Sequence, residues 1–213
     1  MDKSSFNQHD RAMMARAIAL SKQSGAAGEY PYGVLICRGG KVVAEAINQV
    51  KRDCDVTRHA EVVAMSAAQK ALGRTSLDDC VIYGSAEPCV LCSYAIRESR
   101  IGRVVYALHS PHMGGRSKWN ILMDEGISQT MPEVFAPPPT VVAGFMAVEA
   151  ERALFEWNRL VWIAMKKRGL FVAEAPGSAK AKEPSLLRNP PTELLWAPLR
   201  RNFFDRFGAD RYQ

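Results

Sequence analysis

Hydrophobic residues recur at two spacings in the first quarter of the chain, and each spacing predicts a different element. Over residues 11–24 apolar side chains return every three or four positions, which predicts a helix that Gly25 ends. Residues 34–37 and 41–47 are short β-prone runs with a pair of glycines, Gly39 and Gly40, between them, and they predict a β-hairpin. The polar stretch 48–57 predicts a loop.

The middle of the chain alternates helical and extended patterns. Residues 59–72 are rich in Ala, Val and Met and predict a helix, whereas residues 80–83 predict a short strand. Pro88 suits the first turn of a helix over residues 89–99, and residues 103–108 predict another strand. The order helix, hairpin, helix, strand, helix, strand predicts an α/β layered sheet.

The second half of the chain has weaker patterns. Residues 109–140 hold several glycines and three consecutive prolines at 137–139, and they predict a long functional loop. The apolar positions of residues 148–167 predict one helix. Residues 173–213 predict a Pro-rich, basic and aromatic C-terminal extension, so that the domain itself is expected to occupy residues 1–172.

Composition excludes several classes of protein. A hydrophobic fraction of 47% and a charged fraction of 23% are ordinary for a soluble globular chain. No window approaches the roughly 18 continuous apolar residues that span a bilayer, and the polar first ten residues do not resemble a secretory signal. We therefore expect a cytoplasmic protein without a membrane partner. The net charge of +6 is spread without a long basic run and indicates no particular partner.

The cysteines point to metal chemistry rather than to disulfides. Their number is odd, and no export signal precedes them: Cys37, Cys54, Cys80, Cys89 and Cys92. Cys89 and Cys92 share one face of the first turn of a predicted helix, where the helix dipole stabilises thiolates. Two thiolates and one imidazole, from His59, form a ligand set that suits Zn²⁺. Three protein ligands leave a position open for water, which is typical of catalytic zinc.

A glutamate near the proposed ligands supplies the second part of this chemistry. Glu61 follows His59 by two residues and can take a proton from the activated water and deliver it to a departing amine. That combination performs hydrolytic deamination. The alternative is a structural zinc site closed by Cys54 or Cys80, which would leave Glu61 without a function.

Several short motifs extend this pattern and together resemble one enzyme family. The motif His59-Ala60-Glu61 with Pro88-Cys89-Val90-Leu91-Cys92 is the zinc nucleobase deaminase signature. The chain resembles the cytidine and deoxycytidylate deaminase superfamily, and within it guanine deaminases and bacterial tRNA adenosine deaminases. The further matching residues are Glu29-Tyr30-Pro31-Tyr32-Gly33, Asn48, Thr57-Arg58, Glu87 and residues 99–106.

The resemblance implies a fold and a set of roles. The fold is a three-layer α-β-α arrangement around a five-stranded mixed sheet, in a protein that forms a homodimer. It implies Zn²⁺ as the cofactor and Glu61 as the proton shuttle. The ligands that it implies are His59, Cys89 and Cys92.

The resemblance also implies which residues hold the substrate. Asn48 would hold the base or ribose, and the backbone groups of Ala60 and Glu87 would line the pocket. His109 follows the fourth strand, where loops meet the pocket in open α/β sheets, and is a further candidate. Guanine deaminases use an acid from the later region, for which Asp124 and Glu125 are the candidates.

The substrate prediction depends on residues 109–140, where the resemblance ends. We expect this segment, with its proline run, to cover the pocket, and a covered pocket favours a small free base. A guanine-like purine base is therefore the favoured substrate. The alternatives are adenosine in tRNA and a non-catalytic zinc module whose basic tail binds a partner.

Overall fold

A five-stranded mixed sheet organises the computed structural model, which describes residues 8–173. Neighbouring strands follow the order β2-β1-β3-β4-β5. β1 is antiparallel to both of its neighbours, whereas β3, β4 and β5 are mutually parallel. The strands are β1 (Gly33–Arg38), β2 (Lys41–Ile47), β3 (Cys80–Ala86), β4 (Arg103–Leu108) and β5 (Thr140–Ala143). The predicted C-terminal extension lies outside the described residues from position 174 onward.

Seven α-helices accompany the sheet within residues 8–173, together with a single 3₁₀ turn at Ile121–Met123. None of these helices is both long enough and apolar enough to cross a membrane. The helices are α1 (Gln8–Ala26), α2 (Val50–Asp53), α3 (Ala60–Leu72), α4 (Val90–Glu98), α5 (Glu125–Thr130), α6 (Ala147–Trp157) and α7 (Arg159–Lys167).

The alternation of side chains along the central strands builds two hydrophobic cores, one on each face of the sheet. Val34 and Ile36 point to the core shared with α3 and α4. Leu35 and Cys37, one residue out of phase, point to the core shared with α1, α6 and α7. The predicted α-β-α layering is confirmed.

The hairpin between β1 and β2 confirms the prediction from its glycine pair. Arg38 faces Lys41 in the register, so the turn contains only Gly39 and Gly40. Both glycines have positive φ angles, 53° and 77°. A two-residue turn of this kind requires positive φ at both central positions, which glycine adopts without steric cost.

Two predictions for the second half of the chain are wrong. β5 lies at residues 140–143, where the sequence predicted the end of a loop. The strand has only four residues and lies at a sheet edge, and the three prolines before it favour a loop, so its sequence carries little strand signal. The single helix predicted over residues 148–167 is two helices, because Asn158 has extended backbone angles (φ −156°, ψ 98°). Its Oδ1 accepts a hydrogen bond from the Val161 N–H at 3.1 Å and caps α7.

The start of α1 is attached to the sheet by a buried carboxylate. The Tyr83 hydroxyl donates a hydrogen bond to Asp10 Oδ1 at 2.6 Å. The Arg103 guanidinium donates to both oxygens of the same carboxylate at 3.3 Å. Asp10 and Tyr83 are both buried, so this network fixes α1 against β3 and β4.

Removing the tyrosine hydroxyl tests this attachment. We expect Tyr83→Phe to lower the free energy of unfolding by about 1–2 kcal/mol, because a buried carboxylate loses one hydrogen bond. Urea denaturation measures the change. The matched control is Tyr94→Phe, which removes the hydroxyl of an exposed tyrosine on α4 and is expected to change stability by less than about 0.5 kcal/mol. Equal effects of the two substitutions would contradict the assignment.

Candidate active site

The sites of the predicted metal ligands lie at the starts of two helices. His59 is the N-cap residue of α3, and Cys89 is the N-cap residue of α4. Neither side chain makes a capping hydrogen bond to its own helix. Their ligand atoms instead lie close to each other and to Cys92 Sγ from the first turn of α4, within 4.8 Å.

The spacing of the three ligand atoms fits one metal ion. His59 Nδ1 lies 3.5 Å from Cys89 Sγ and 3.4 Å from Cys92 Sγ, and the two sulfurs are 3.6 Å apart. Tetrahedral zinc, with bonds of about 2.3 Å to sulfur and about 2.0 Å to nitrogen, needs separations of roughly 3.8 Å and roughly 3.5 Å. The triad therefore matches the size of a zinc coordination sphere.

The closed four-ligand alternative is not supported. Cys54 is exposed and its thiol lies 3.7 Å from the Lys51 carbonyl, whereas Cys80 is buried with its thiol beside Asp79. Among residues 8–173, the cluster of metal-binding side chains contains neither of them. Three protein ligands with an open fourth position is the arrangement of a catalytic zinc site.

The pKa values of the two thiols differ. Cys89 Sγ lies within hydrogen-bond distance of Cys92 Sγ, at 3.6 Å, and this contact, with His59 close by, lowers the pKa of the Cys89 thiol to about 4. The same contact and burial raise the pKa of the Cys92 thiol. Cys89 at the helix start is thus a ready thiolate, which is the form that binds metals.

Glu61 lies where the proton-transfer role requires it. The residue belongs to the first turn of α3 and is buried. It lines the same cavity as His59 and Cys89. Burial raises the pKa of its carboxyl, and the neighbouring Cys89 thiolate raises the pKa further.

The cavity next to the triad has a volume of about 280 Å³ and mostly apolar walls. Tyr32 and Phe171 form two of these walls, with ring centroids 5.9 Å apart and planes inclined by 55°. Val34 and Met113 add apolar surface, and Ser85 adds a hydroxyl. Such walls suit a flat ring with a few polar atoms.

Sequence reasoning missed Phe171 as a wall of the cavity. The residue follows α7 in a stretch without periodicity, so no local pattern marks it. A two-way backbone bridge holds it in place: the His109 N–H donates to the Val172 carbonyl at 2.9 Å, and the Val172 N–H donates back at 3.0 Å. The contact joins positions more than sixty residues apart in sequence.

The His109 side chain does not line the cavity, although the sequence predicted that it contacts the substrate. Its backbone forms the bridge to Val172, and its Nδ1 lies 3.5 Å from the buried Tyr106 hydroxyl. Burial lowers the pKa of its imidazole. The cavity wall contains the next residue, Ser110, and not His109. The prediction of a substrate contact by the His109 side chain is therefore not supported by its position.

Asn48 and Ala60 lie close to the cavity without forming its wall. Asn48 follows β2 and is buried; its Nδ2 donates to Glu29 Oε2 at 3.0 Å, and its N–H donates to the Tyr32 carbonyl. Ala60 is buried between His59 and Glu61 at the first position of α3. The substrate roles of both residues stay predictions.

The acids predicted from residues 109–140 are placed away from the cavity. Asp124 Oδ1 accepts a hydrogen bond from Gly126 N–H and caps α5, and Glu125 is exposed on the same helix. Neither belongs to the cavity wall. The reason is Arg97 on α4, whose buried guanidinium binds backbone carbonyls of residues 121–136 and holds this stretch against α4.

The segment 109–140 borders the cavity through its beginning, whereas its proline run lies elsewhere. Pro137 and Pro138 lie beside Arg100 and Glu125, in a separate surface groove. The cavity next to the triad is bounded instead by Ser110 and Met113, from the beginning of the segment, and by Phe171.

Comparison with known proteins gives the family. The profile of the cytidine and deoxycytidylate deaminase zinc-binding region matches residues 7–108. A tRNA-specific adenosine deaminase of Aquifex aeolicus is 34% identical over 122 residues, which cover 57% of this chain and 81% of that protein. A guanine deaminase of Bacillus subtilis is 42% identical over 95 residues, covering 44% and 61%.

A similar solved structure belongs to the same group of deaminases as the sequence relatives. A chain from a study of A-to-I editing by tRNA A34 deaminases is 28% identical, with a TM-score of 0.59, and the match covers 67% of this chain and 99% of that one. The fold and the triad are those of a class of zinc-dependent deaminases. The protein belongs to the cytidine and deoxycytidylate deaminase family, and zinc is the cofactor that its His/Cys/Cys triad fits.

The chain is shorter than some of its relatives. It spans 28% and 25% of the length of two tRNA(Ile)-lysidine synthases, from Deinococcus radiodurans and Deinococcus deserti, which it matches at 32% identity. Relatives of this family therefore carry the same region in proteins of different size.

Proposed function

We propose that the protein is a hydrolytic deaminase of a small amino-heterocycle, with a guanine-like purine base as the favoured substrate. The observation that carries the proposal is the cavity of about 280 Å³, whose lining combines Glu61 and two members of the metal triad with aromatic side chains. Its size lies near the lower end of the range of about 300–1,000 Å³ found for ligand pockets. A bare heterocycle suits this volume better than a larger substrate.

The residues of the cavity divide the reaction between them. His59, Cys89 and Cys92 would hold Zn²⁺, which when bound supplies activation of water at neutral pH. Glu61 takes the proton of the attacking water and gives it to the leaving amino group. Its burial keeps that proton out of bulk solvent. A carbon–oxygen bond forms, the carbon–nitrogen bond breaks, and ammonia leaves.

The apolar walls orient the ring for this attack. Tyr32 and Phe171 pack against each other and present apolar surface to the substrate ring, which excludes water from the reacting carbon. The 42% identity with the Bacillus subtilis guanine deaminase supports a purine base as the ring.

A second candidate substrate is adenosine in tRNA. The observation that favours it is a group of exposed side chains in the stretch that follows Met113. Arg116 and Lys118 are cations there, and the Lys118 ammonium lies 6.0 Å from the exposed Trp119 ring. Cations beside an exposed aromatic are typical of surfaces that bind single-stranded nucleic acid.

Ammonia release from a panel of substrates distinguishes these candidates. The panel contains guanine, adenine, cytosine, their nucleosides and tRNA, each at about 50 and 200 mM salt. We expect turnover of guanine, changed less than about twofold by salt because the substrate is uncharged. Turnover of tRNA alone, falling by about 10³-fold or more with salt, would overturn the small-base proposal in favour of tRNA.

The homodimer implied by the resemblance forms part of the proposal. α4 presents three exposed apolar side chains that a second copy would cover: Val90, Leu91 and Tyr94. Exposed apolar side chains grouped on one helix are typical of interaction surfaces.

A further inference from the structure

The Glu87 carboxylate accepts hydrogen bonds at both of its oxygens. The residue comes directly before Pro88 and Cys89, where the metal-binding helix begins. The residue is buried, and its oxygens accept four bonds. Oε2 accepts from the Ser110 N–H at 2.8 Å and from the Ser117 hydroxyl at 2.6 Å. Oε1 accepts from the Arg116 N–H at 3.0 Å and from the Ser117 N–H at 2.6 Å. These donors all belong to residues 110–117, which we name the cover segment.

The chemistry of these contacts explains why a carboxylate occupies the position. All four partners donate a hydrogen, and an ionised carboxylate only accepts. Bonds from backbone N–H groups to a charged oxygen are about twice as strong as neutral ones, which offsets the cost of burying the charge. Glutamine would turn one acceptor oxygen into a donor facing donors.

Two glycines let the cover segment lie directly on this carboxylate. A Cβ atom at Gly114 would come within 2.2 Å of Glu87 Oε1, and one at Gly115 within 2.0 Å of Ser93 Oγ on α4. The Gly115 N–H also donates to the Pro88 carbonyl at 2.9 Å. The segment is therefore fitted to both Glu87 and the start of α4.

The cover segment contributes directly to the cavity. Ser110 and Met113 belong to its wall, together with Glu87 itself. The Ser110 hydroxyl further donates to the Leu170 carbonyl at 3.3 Å, next to the aromatic wall at Phe171. A single buried carboxylate thus connects the helix start that carries Cys89 and Cys92 to the part of the cavity wall formed by the cover segment.

We propose that Glu87 is a positioning residue for substrate binding: its carboxylate holds the cover segment so that Ser110 and Met113 close the cavity over the heterocycle. This assignment rests on the proposed function. It adds to the role that the resemblance implied, in which backbone groups of Glu87 line the pocket. Because Glu87 acts on the wall and not on the reacting atoms, its loss affects the KM more than the kcat.

Three variants test the assignment. Glu87→Gln replaces one acceptor oxygen with an NH₂ donor, and Ser117→Ala removes only the hydroxyl donor and so disturbs folding less. The matched control is Glu98→Gln, the same chemical change at an exposed position of α4. The readouts are the rate of tryptic cleavage after Arg116, the zinc content, and the kcat and KM for guanine.

We expect Glu87→Gln to speed cleavage after Arg116 by about tenfold and to raise the KM by about tenfold, with the kcat within about twofold and zinc retained. Ser117→Ala is expected to shift cleavage and KM in the same direction by less, and Glu98→Gln to shift neither. Unchanged cleavage in both test variants would contradict the proposal that Glu87 holds the cover segment. Faster cleavage with an unchanged KM and a lower kcat would overturn the positioning role.

The proteolysis readout does not depend on deaminase activity. If the wild-type protein released no ammonia from any substrate of the panel, the proposed function would fail. The comparison of cleavage rates would still decide whether Glu87 holds the cover segment.

Discussion

Replacing Glu61 with glutamine is expected to lower the kcat for ammonia release by about 10³-fold. Glutamine keeps the size and polarity of the side chain but cannot accept the proton of water or deliver it to the leaving amine, and proton transfer of this kind contributes about 10²–10⁴-fold. Zinc content is expected to stay at the wild-type value, because the change leaves His59, Cys89 and Cys92 in place. Steady-state kinetics and metal analysis of the same preparation measure both quantities.

This experiment also decides between an enzyme and a zinc module without catalysis. Glu98→Gln serves as the control, since it makes the same substitution at an exposed position. A Glu61→Gln variant that keeps activity within tenfold of wild type would contradict the role of Glu61. Loss of activity with zinc retained excludes the non-catalytic module, which has no use for a buried carboxyl beside its metal.

Arg97→Ala is expected to cause the largest loss of stability, about 3–5 kcal/mol in the free energy of unfolding. The guanidinium is almost fully buried, and its Nη1 donates to the carbonyls of Asp124 at 2.7 Å and Ile121 at 2.9 Å. Its Nη2 donates to the carbonyl of Ala136 at 3.1 Å and to the Ser128 hydroxyl. Alanine removes all of these hydrogen bonds and opens a cavity; of the carbonyls, that of Ala136 keeps a bond from the Ser128 hydroxyl.

Urea denaturation measures this loss. The matched control is Arg152→Ala, at an exposed position of α6, which is expected to change stability by less than about 0.5 kcal/mol. Arg97→Lys keeps the charge, but a single ammonium cannot reach acceptors on both sides, so it is expected to recover only part of the loss. A loss below about 1 kcal/mol in Arg97→Ala would show that residues 121–136 hold their place by other contacts.

The sequence predicted those features that depend on neighbouring residues. The hairpin follows from Gly39 and Gly40, because their positive φ angles are a local requirement. The metal triad could be predicted from the motifs at two helix starts. Cys89 and Cys92 are three positions apart in sequence, and this spacing alone places them on the same face of a helix. The contact between His59 and the two thiols depends on the whole fold, because these residues are distant in sequence. It could be predicted from the family resemblance and not from local spacing.

The features that sequence analysis missed depend on contacts between distant parts of the chain. Phe171 reaches the cavity through a bridge to residue 109, and the side chain of Glu87 finds its partners more than twenty residues away. Asp124 carries the kind of group that a substrate contact needs, but Arg97 holds its backbone elsewhere. No local pattern encodes these arrangements, because each is decided by which elements pack together.

The location of His59 and Cys89 at helix N-caps has a consequence for the coupling between metal and fold. An N-cap side chain ordinarily binds the free N–H groups of its own helix, and both helices here forgo that bond. An ion held by the two side chains joins positions 30 residues apart in sequence, and it acts as a cross-link that closes the intervening loop. Loss of a bound ion would then remove a constraint on the starts of α3 and α4 as well as the activation of water.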